Sequence, residues 1–139
     1  MLTETDIDAL VVAVLAVGAW PAARVRDALP LLRSAALLSP GDVAAMDLGE
    51  VTVKLAKNDY SRGLLTSMYG ERLQAVMRAV VAGTLDVLPE LVRSGQQDAF
   101  TRTLTEIHGV GPKVAANAWE FLSAVQRETT PSKDQPGAD

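Results

Sequence analysis

Apolar residues recur along this chain with the period of an α-helix. In the segment 71–82 four of them fall at i, i+3, i+4 and i+7, which places them on one helical face. These four residues are Leu73, Val76, Met77 and Val80. No stretch alternates apolar and polar residues over several positions, so no strand is predicted. The pattern therefore predicts an all-α fold of about six to eight helices.

Residues that favour helix ends divide this pattern into segments. Thr5 and Asp8 have the spacing of a capping box at the start of the first helix, and Gly83 and Gly95 end two later ones. Pro30 is a point of disturbance inside the second helix. The predicted helical segments are one up to about 17, then 25–32, 40–46, 51–56, 71–82 and 85–93, one through 100–107, and one after Pro112.

Length and composition indicate one globular domain. The chain has 139 residues, of which 48% are hydrophobic and 22% charged. We assign this domain to 1–127, and we predict a disordered tail over 128–139 because its residues are almost all polar, proline or glycine. The apolar stretch 9–20 follows three acidic residues and is too short to span a bilayer, so it predicts a buried helix and a cytoplasmic protein.

Charge and the absence of cysteine exclude several classes of function. The formal net charge of −4 argues against a protein that coats nucleic acid through a broad positive field, so any contact with DNA has to be local. Without cysteine there is no disulfide, thiolate metal site or iron–sulfur cluster. His108 is the only histidine, so no histidine-based metal site is predicted either.

The most informative segment is 104–118, inside a predicted helix-hairpin-helix element that spans 96–125. Gly109 and Gly111 flank Val110, which allows a tight hairpin and lets another backbone approach closely. Pro112 then suits the first turn of a helix, whose N–H groups and positive dipole end favour an anion such as a phosphate. The alternative is that the glycines only form a tight turn between two core helices.

The string IHGVGPKVAANA in this segment resembles the hairpin of the endonuclease III and 8-oxoguanine glycosylase superfamily. AVLAVGAWPAARVRDAL is similar to the early helix pair of that family, and MYGERLQAVMRAVVAG is similar to the helix before its hairpin. The resemblance covers most of 6–123. It implies a helical half-barrel, binding of double-stranded DNA, base flipping and removal of a damaged base. It also implies a monovalent cation at the hairpin carbonyls. No other cofactor is predicted, and the lack of cysteine excludes an iron–sulfur cluster.

The resemblance places Lys113 where members of the family keep the lysine that attacks the sugar as a Schiff-base nucleophile. The catalytic aspartate of the family has no counterpart, because Pro131 and Ser132 occupy its place. Asp134 and Glu128 lie near that place, in the predicted tail. The alternative for Lys113 is a contact with solvent or phosphate.

Three further residues are candidates for contact with DNA. His108 stands where the family usually has proline, and it is expected to touch solvent or phosphate. Trp20 stands at the break where related enzymes present a residue that wedges into DNA, although a core role is the alternative. Arg72, like Arg62, could contact phosphates.

These observations lead to one main hypothesis and two rivals. The main hypothesis is a DNA-binding protein of the helix-hairpin-helix glycosylase class, with a role in base-excision repair. The first rival is a non-catalytic protein-interaction module, which the acidic charge favours. The second is a subunit of a split glycosylase, in which a partner protein covers an exposed apolar face.

Overall fold

The structure is a computed structural model, and it describes residues 2–17 and 20–129. Over these two ranges it contains eight α-helices, one 3₁₀ turn at Gly63–Leu65 and no strand, which confirms the predicted all-α fold. The α-helices are α1 Glu4–Leu15, α2 Ala22–Ser34, α3 Pro40–Ala45, α4 Leu48–Lys57, α5 Thr66–Ala82, α6 Leu88–Arg93, α7 Gln97–Thr105 and α8 Pro112–Thr129.

Helix α1 lies at the centre of the fold. It is buried almost throughout and packs against α2, α5 and α8. Helices α3 and α4 pack on α5, whereas α6 and α7 pack on α8, so α1 joins two groups of helices. The core is continuous through both groups. The α7–α8 hairpin therefore belongs to one group, and Arg72 on α5 belongs to the other.

The start of α1 differs from the prediction. The capping box is formed by Thr3 and Asp6 rather than by Thr5 and Asp8. Thr3 Oγ1 accepts a hydrogen bond from Asp6 N at 3.1 Å, and Asp6 Oδ2 accepts one from Thr3 N at 3.0 Å. Gln126 of α8 also donates to Asp6 Oδ1, at 3.3 Å. Asp6 is thus buried with a hydrogen-bond partner on each carboxylate oxygen. This burial favours the capping box of Thr3 and Asp6 over that of Thr5 and Asp8.

Other helix ends follow the predicted signals, with shifts that have local causes. Gly83 and Gly95 adopt φ values of +84° and +71° after α5 and α6, as helix-ending glycines do. Helix α5 starts earlier than predicted, because Thr66 Oγ1 accepts from Arg62 N at 2.7 Å and orders the turn before it. Pro30 lies inside α2 without ending it.

Helix α8 is longer than the sequence pattern indicates. It continues through Glu128 and Thr129, the first two residues of the predicted tail. The remainder of that prediction, 130–139, lies outside the described residues.

Candidate nucleic-acid interface

Two successive turns connect α7 to α8 and form the predicted hairpin. Ile107 N donates to the carbonyl of Leu104, and Val110 N donates to the carbonyl of Ile107, both at 3.0 Å. Gly109 adopts φ +88°, a left-handed conformation that a residue with a side chain rarely takes. Leu104, Val110 and Ala115 are buried, so the apolar positions of the motif do pack the two helices together.

Gly109 also makes a close contact with the other group of helices. A Cβ atom at this position would lie 3.0 Å from Cγ of Arg72 on α5. The aliphatic part of the Arg72 side chain thus occupies the space that a Cβ atom would need, and Gly109 is required both by its φ value and by its neighbour. This contact fixes the hairpin against α5.

Gly111, by contrast, borders open space. No atom lies within 4 Å of a Cβ built at this residue, and its φ is not in the left-handed range. Ala115 N donates to the carbonyl of Gly111 at 3.1 Å, which is the first hydrogen bond of α8. The N–H groups of Lys113 and Val114 precede that bond and have no backbone acceptor among the described residues. The hairpin therefore offers backbone donors beside an open surface.

Lys113 and His108 are both exposed at this end of the hairpin. Neither forms an ion pair within the described ranges. Glu128 lies fifteen residues after Lys113 on the same straight helix, which separates the two by about 22 Å along its axis. Glu128 is therefore too far away to assist Lys113. Asp134, Pro131 and Ser132 lie outside the described residues.

Three aromatic side chains meet beside the hairpin. The ring centroids of Trp20 and Tyr60 are 4.7 Å apart, and Tyr69 meets Tyr60 edge-on at 6.1 Å. We call these three residues the aromatic cluster. Trp20 is only 7% exposed, which favours its core role over stacking on a DNA base.

The last carbonyl groups of α1 are satisfied by side chains that come from distant parts of the chain. Tyr60 Oη donates to Leu15 O at 2.7 Å, while Asn117 Nδ2 and Arg62 reach Ala16 O and Val17 O, each at 3.5 Å. A cation is favourable at this point because the carbonyl end of a helix carries partial negative charge. The end of α1 thereby brings the loop around Arg62 and helix α8 together.

Burial raises the pKa of Tyr60 to about 12. The hydrogen bond that Arg62 donates to Tyr60 Oη, at 3.1 Å, and the positive charge of Arg62 oppose this shift but do not overcome it. Tyr60 is therefore protonated at neutral pH and keeps its own donor for Leu15 O.

Three arginines surround the aromatic cluster. The guanidinium carbon of Arg24 lies 3.7 Å from the Trp20 centroid, and that of Arg62 lies 4.7 Å from the centroid of Tyr69. Arg72 approaches the Tyr69 centroid from α5 at 5.4 Å. Arg24 was not predicted as a site residue. Its contact with Trp20 spans only four residues, but only the tertiary fold brings Trp20 beside Tyr60 and Arg62.

Two other properties bear on the kind of site. Within the residues that the structure describes, His, Asp and Glu side chains form no group of three or more that could hold a metal ion. No helix in those same ranges is both long enough and apolar enough to cross a membrane.

No protein-family model matches the chain, and no curated protein or solved structure is detectably similar to it. Any assignment of function therefore rests on the residues and the geometry of the hairpin and its surroundings.

Proposed function

We propose that this protein binds duplex DNA through the sugar–phosphate backbone, with the hairpin 106–113 as the main contact. The observation that carries the proposal is the open surface at Gly111, where backbone donors at the start of α8 stand beside the exposed side chains of Lys113 and His108. Arg72 adds a cation that is held against the hairpin at Gly109.

Phosphate oxygens suit this surface better than base edges do. Unpaired N–H groups and the positive end of the α8 dipole favour an anion, and glycine lets a phosphate approach the backbone closely. Such contacts carry no sequence information, so we expect binding without sequence preference. A local site of this kind is compatible with a net charge of −4, because only a few phosphates are neutralised.

The resemblance to endonuclease III suggests a narrower version of the proposal, namely a role in base-excision repair. Lys113 would then attack an abasic sugar, with a monovalent cation bound at the hairpin carbonyls. The position of Lys113 at the exposed start of α8 supports this version. Glu128 is too far from Lys113 along α8 to act as its acid or base.

A titration of a short labelled duplex, followed by fluorescence anisotropy between 50 and 200 mM salt, tests the proposal. We expect weak binding with a shallow dependence of log K on log salt, a slope on the order of −3. Gly111→Ala should weaken binding at least about tenfold, because its methyl group enters the space that a phosphate needs. Gly41→Ala is the matched control, because Gly41 is exposed in α3 and, like Gly111, has open space around an added Cβ and no left-handed φ. Failure of the protein to bind intact, abasic or mismatched duplex at low salt would overturn the proposal.

The second candidate is a protein-interaction module, and one surface favours it. An open groove of about 670 Å³ lies between the end of α2 and helix α4. Val53 lines this groove with half of its side chain exposed, and Lys54 and Lys57 border it. An apolar side chain surrounded by a polar rim is the arrangement found in binding surfaces for other proteins. This candidate becomes the leading one if DNA binding is absent.

A further inference from the structure

The three arginines around the aromatic cluster form a continuous surface. Arg24 and Arg62 approach the same Trp20 ring, at 3.7 and 5.7 Å from its centroid. Arg62 and Arg72 share the Tyr69 ring, at 4.7 and 5.4 Å. Through these two shared rings, the guanidinium carbons of Arg24 and Arg72 are at most about 20 Å apart. We call this surface the arginine track, and it ends at the hairpin, where Arg72 lies beside Gly109.

The arginine track is not neutralised by carboxylates. Elsewhere in the described part of the chain, Arg33, Lys54 and Arg93 form ion pairs with acidic residues, but none of the three track arginines does. Most other lysines and arginines in the described residues are also unpaired, so what distinguishes these three is that neighbouring members share an aromatic ring. A concentration of unpaired cations is typical of a surface that meets a polyanion.

The three guanidinium groups repel one another in the absence of a bound anion. Neighbouring guanidinium carbons on the track are at most about 10 Å apart, because each pair shares a ring. That is about one Debye length at 0.1 M salt, so their mutual repulsion is only partly screened. The aromatic rings hold the arginines in place, which lowers the entropy lost when an anion binds.

The guanidinium groups keep hydrogen-bond donors that the protein itself does not use. Arg62 donates through one nitrogen to Tyr60 Oη and Val17 O, and Arg72 has a long contact of 3.9 Å to the sulfur of Met68. The guanidinium of Arg24 donates no hydrogen bond to the described residues, and only its backbone N–H does so, to Pro21 O at 3.0 Å. Because each guanidinium carries five N–H donors, most of them are left for a ligand.

We propose that Arg24, Arg62 and Arg72 bind a second stretch of nucleic-acid backbone, continuous with the one held by the hairpin. This inference rests on the proposed function and extends it. Three cations beside two shared rings can meet more than one phosphate, since phosphates in one strand follow each other about every 3.4 Å along the duplex. The duplex is then contacted at the arginine track as well as at the hairpin.

The decisive variant is Arg24→Gln, because Arg24 is exposed and its only described contact is with Trp20. The matched control is Arg26→Gln on the same helix. Arg26 is also exposed and lies over an aromatic ring, that of Phe121 at 5.1 Å, so both substitutions remove one charge and one cation–π contact. We expect Arg24→Gln to reduce the magnitude of the salt slope by about one and Arg26→Gln to leave it unchanged. Arg24→Lys should restore the slope, which a purely structural role would not explain.

The same titration separates this inference from the proposed function. Equal slopes for the wild type and Arg24→Gln, with binding still lost in Gly111→Ala, would overturn the arginine track and leave the hairpin contact. A changed slope in Arg24→Gln with normal binding by Gly111→Ala would support a contact at Arg24, but it would overturn the hairpin contact and with it the continuity of the two. A wild-type protein that binds no duplex would overturn both.

Discussion

Cγ of Arg72 lies 3.0 Å from the point at which a Cβ atom of residue Gly109 would stand. A methyl group there would have to displace the arginine stem, and it would also require a non-glycine residue at φ +88°. Gly111, two residues later, has neither constraint. The two glycines of the hairpin thus have different roles, one in the fold and one at the open surface.

We expect Gly109→Ala to lower the free energy of unfolding by about 1 to 2 kcal/mol from the backbone conformation alone, and by more if Arg72 cannot move. Gly111→Ala should change it by less than about 0.5 kcal/mol. Urea denaturation followed by circular dichroism measures both. Similar stabilities for the two variants would contradict the role of the Arg72 contact.

A second prediction concerns covalent chemistry at Lys113. Its amine lies at the exposed start of α8 and could react with an already opened abasic sugar, whereas expulsion of an intact base needs a positioned acid or base as well. We therefore expect borohydride to trap at most a small fraction of the protein on abasic DNA, and Lys113→Ala to abolish that product. We expect no release of bases from undamaged or 8-oxoguanine-containing duplex.

Glu128→Gln is the control for this chemistry, and it should trap as much as the wild type because Glu128 is about 22 Å away along α8. Robust base release by the purified chain would show that another carboxylate assists Lys113. Complete absence of a trapped product would assign Lys113 to phosphate contact.

A third prediction follows from the raised pKa of Tyr60. The pKa is about 12 in the folded protein and close to 10 in the unfolded chain, so the unfolded chain loses this proton first as pH rises. The contribution of protonated Tyr60 to the free energy of unfolding is therefore fully present below pH 10 and is lost between about pH 10 and 12. Tyr60→Phe removes the titrating group, and it also leaves Leu15 O without its donor, which costs about 1 to 3 kcal/mol at neutral pH.

The measurement is the difference in free energy of unfolding between the wild type and Tyr60→Phe at several pH values. This difference should be constant from pH 7 to 9 and should shrink above pH 10. A difference that stays constant up to pH 12 would mean that burial does not raise the pKa of Tyr60 above its value in the unfolded chain.

A fourth prediction compares two leucines. Leu64 is 98% exposed in the 3₁₀ turn before α5, whereas Leu55 of α4 is fully buried. Leu55→Ala should lower the free energy of unfolding by about 2 to 5 kcal/mol, because it leaves a cavity in the core. Leu64→Ala should change it by less than about 0.5 kcal/mol. Thermal denaturation of both variants measures this. A large loss of stability in Leu64→Ala would contradict the exposure of Leu64 and show that it packs against the rest of the protein.

The helices were predictable because their signals are local. The i, i+3, i+4 pattern of α5, the glycines that end α5 and α6, and the prolines that begin α3 and α8 each act within a few residues. The capping box was misplaced by two residues because Thr3 and Thr5 both have an acidic residue three positions later. Only the burial of Asp6 against Gln126, 120 residues away, distinguishes them.

The candidate site was predictable at the hairpin and not around it. The motif 109–113 is contiguous in the sequence, so its turn is predictable from local residues alone. The neighbours of Arg62 come from the segment between α1 and α2, from the loop before α5 and from α5, and no short-range pattern connects all of them. Trp20 could be read as a core residue or as a wedge, since sequence alone does not report how much of a ring stays exposed.

The contact between Arg72 and Gly109 directly links the two groups of helices that α1 also joins. The hairpin motif is local in sequence, yet one of its neighbouring cations is supplied by a helix that begins more than thirty residues earlier. A peptide carrying only α7, the turn and α8 would retain the glycines and the backbone donors, but it would lack that cation and the surface that holds the turn in its left-handed conformation. Transplanting the hairpin onto another scaffold therefore requires the transfer of the arginine-bearing face of α5 with it.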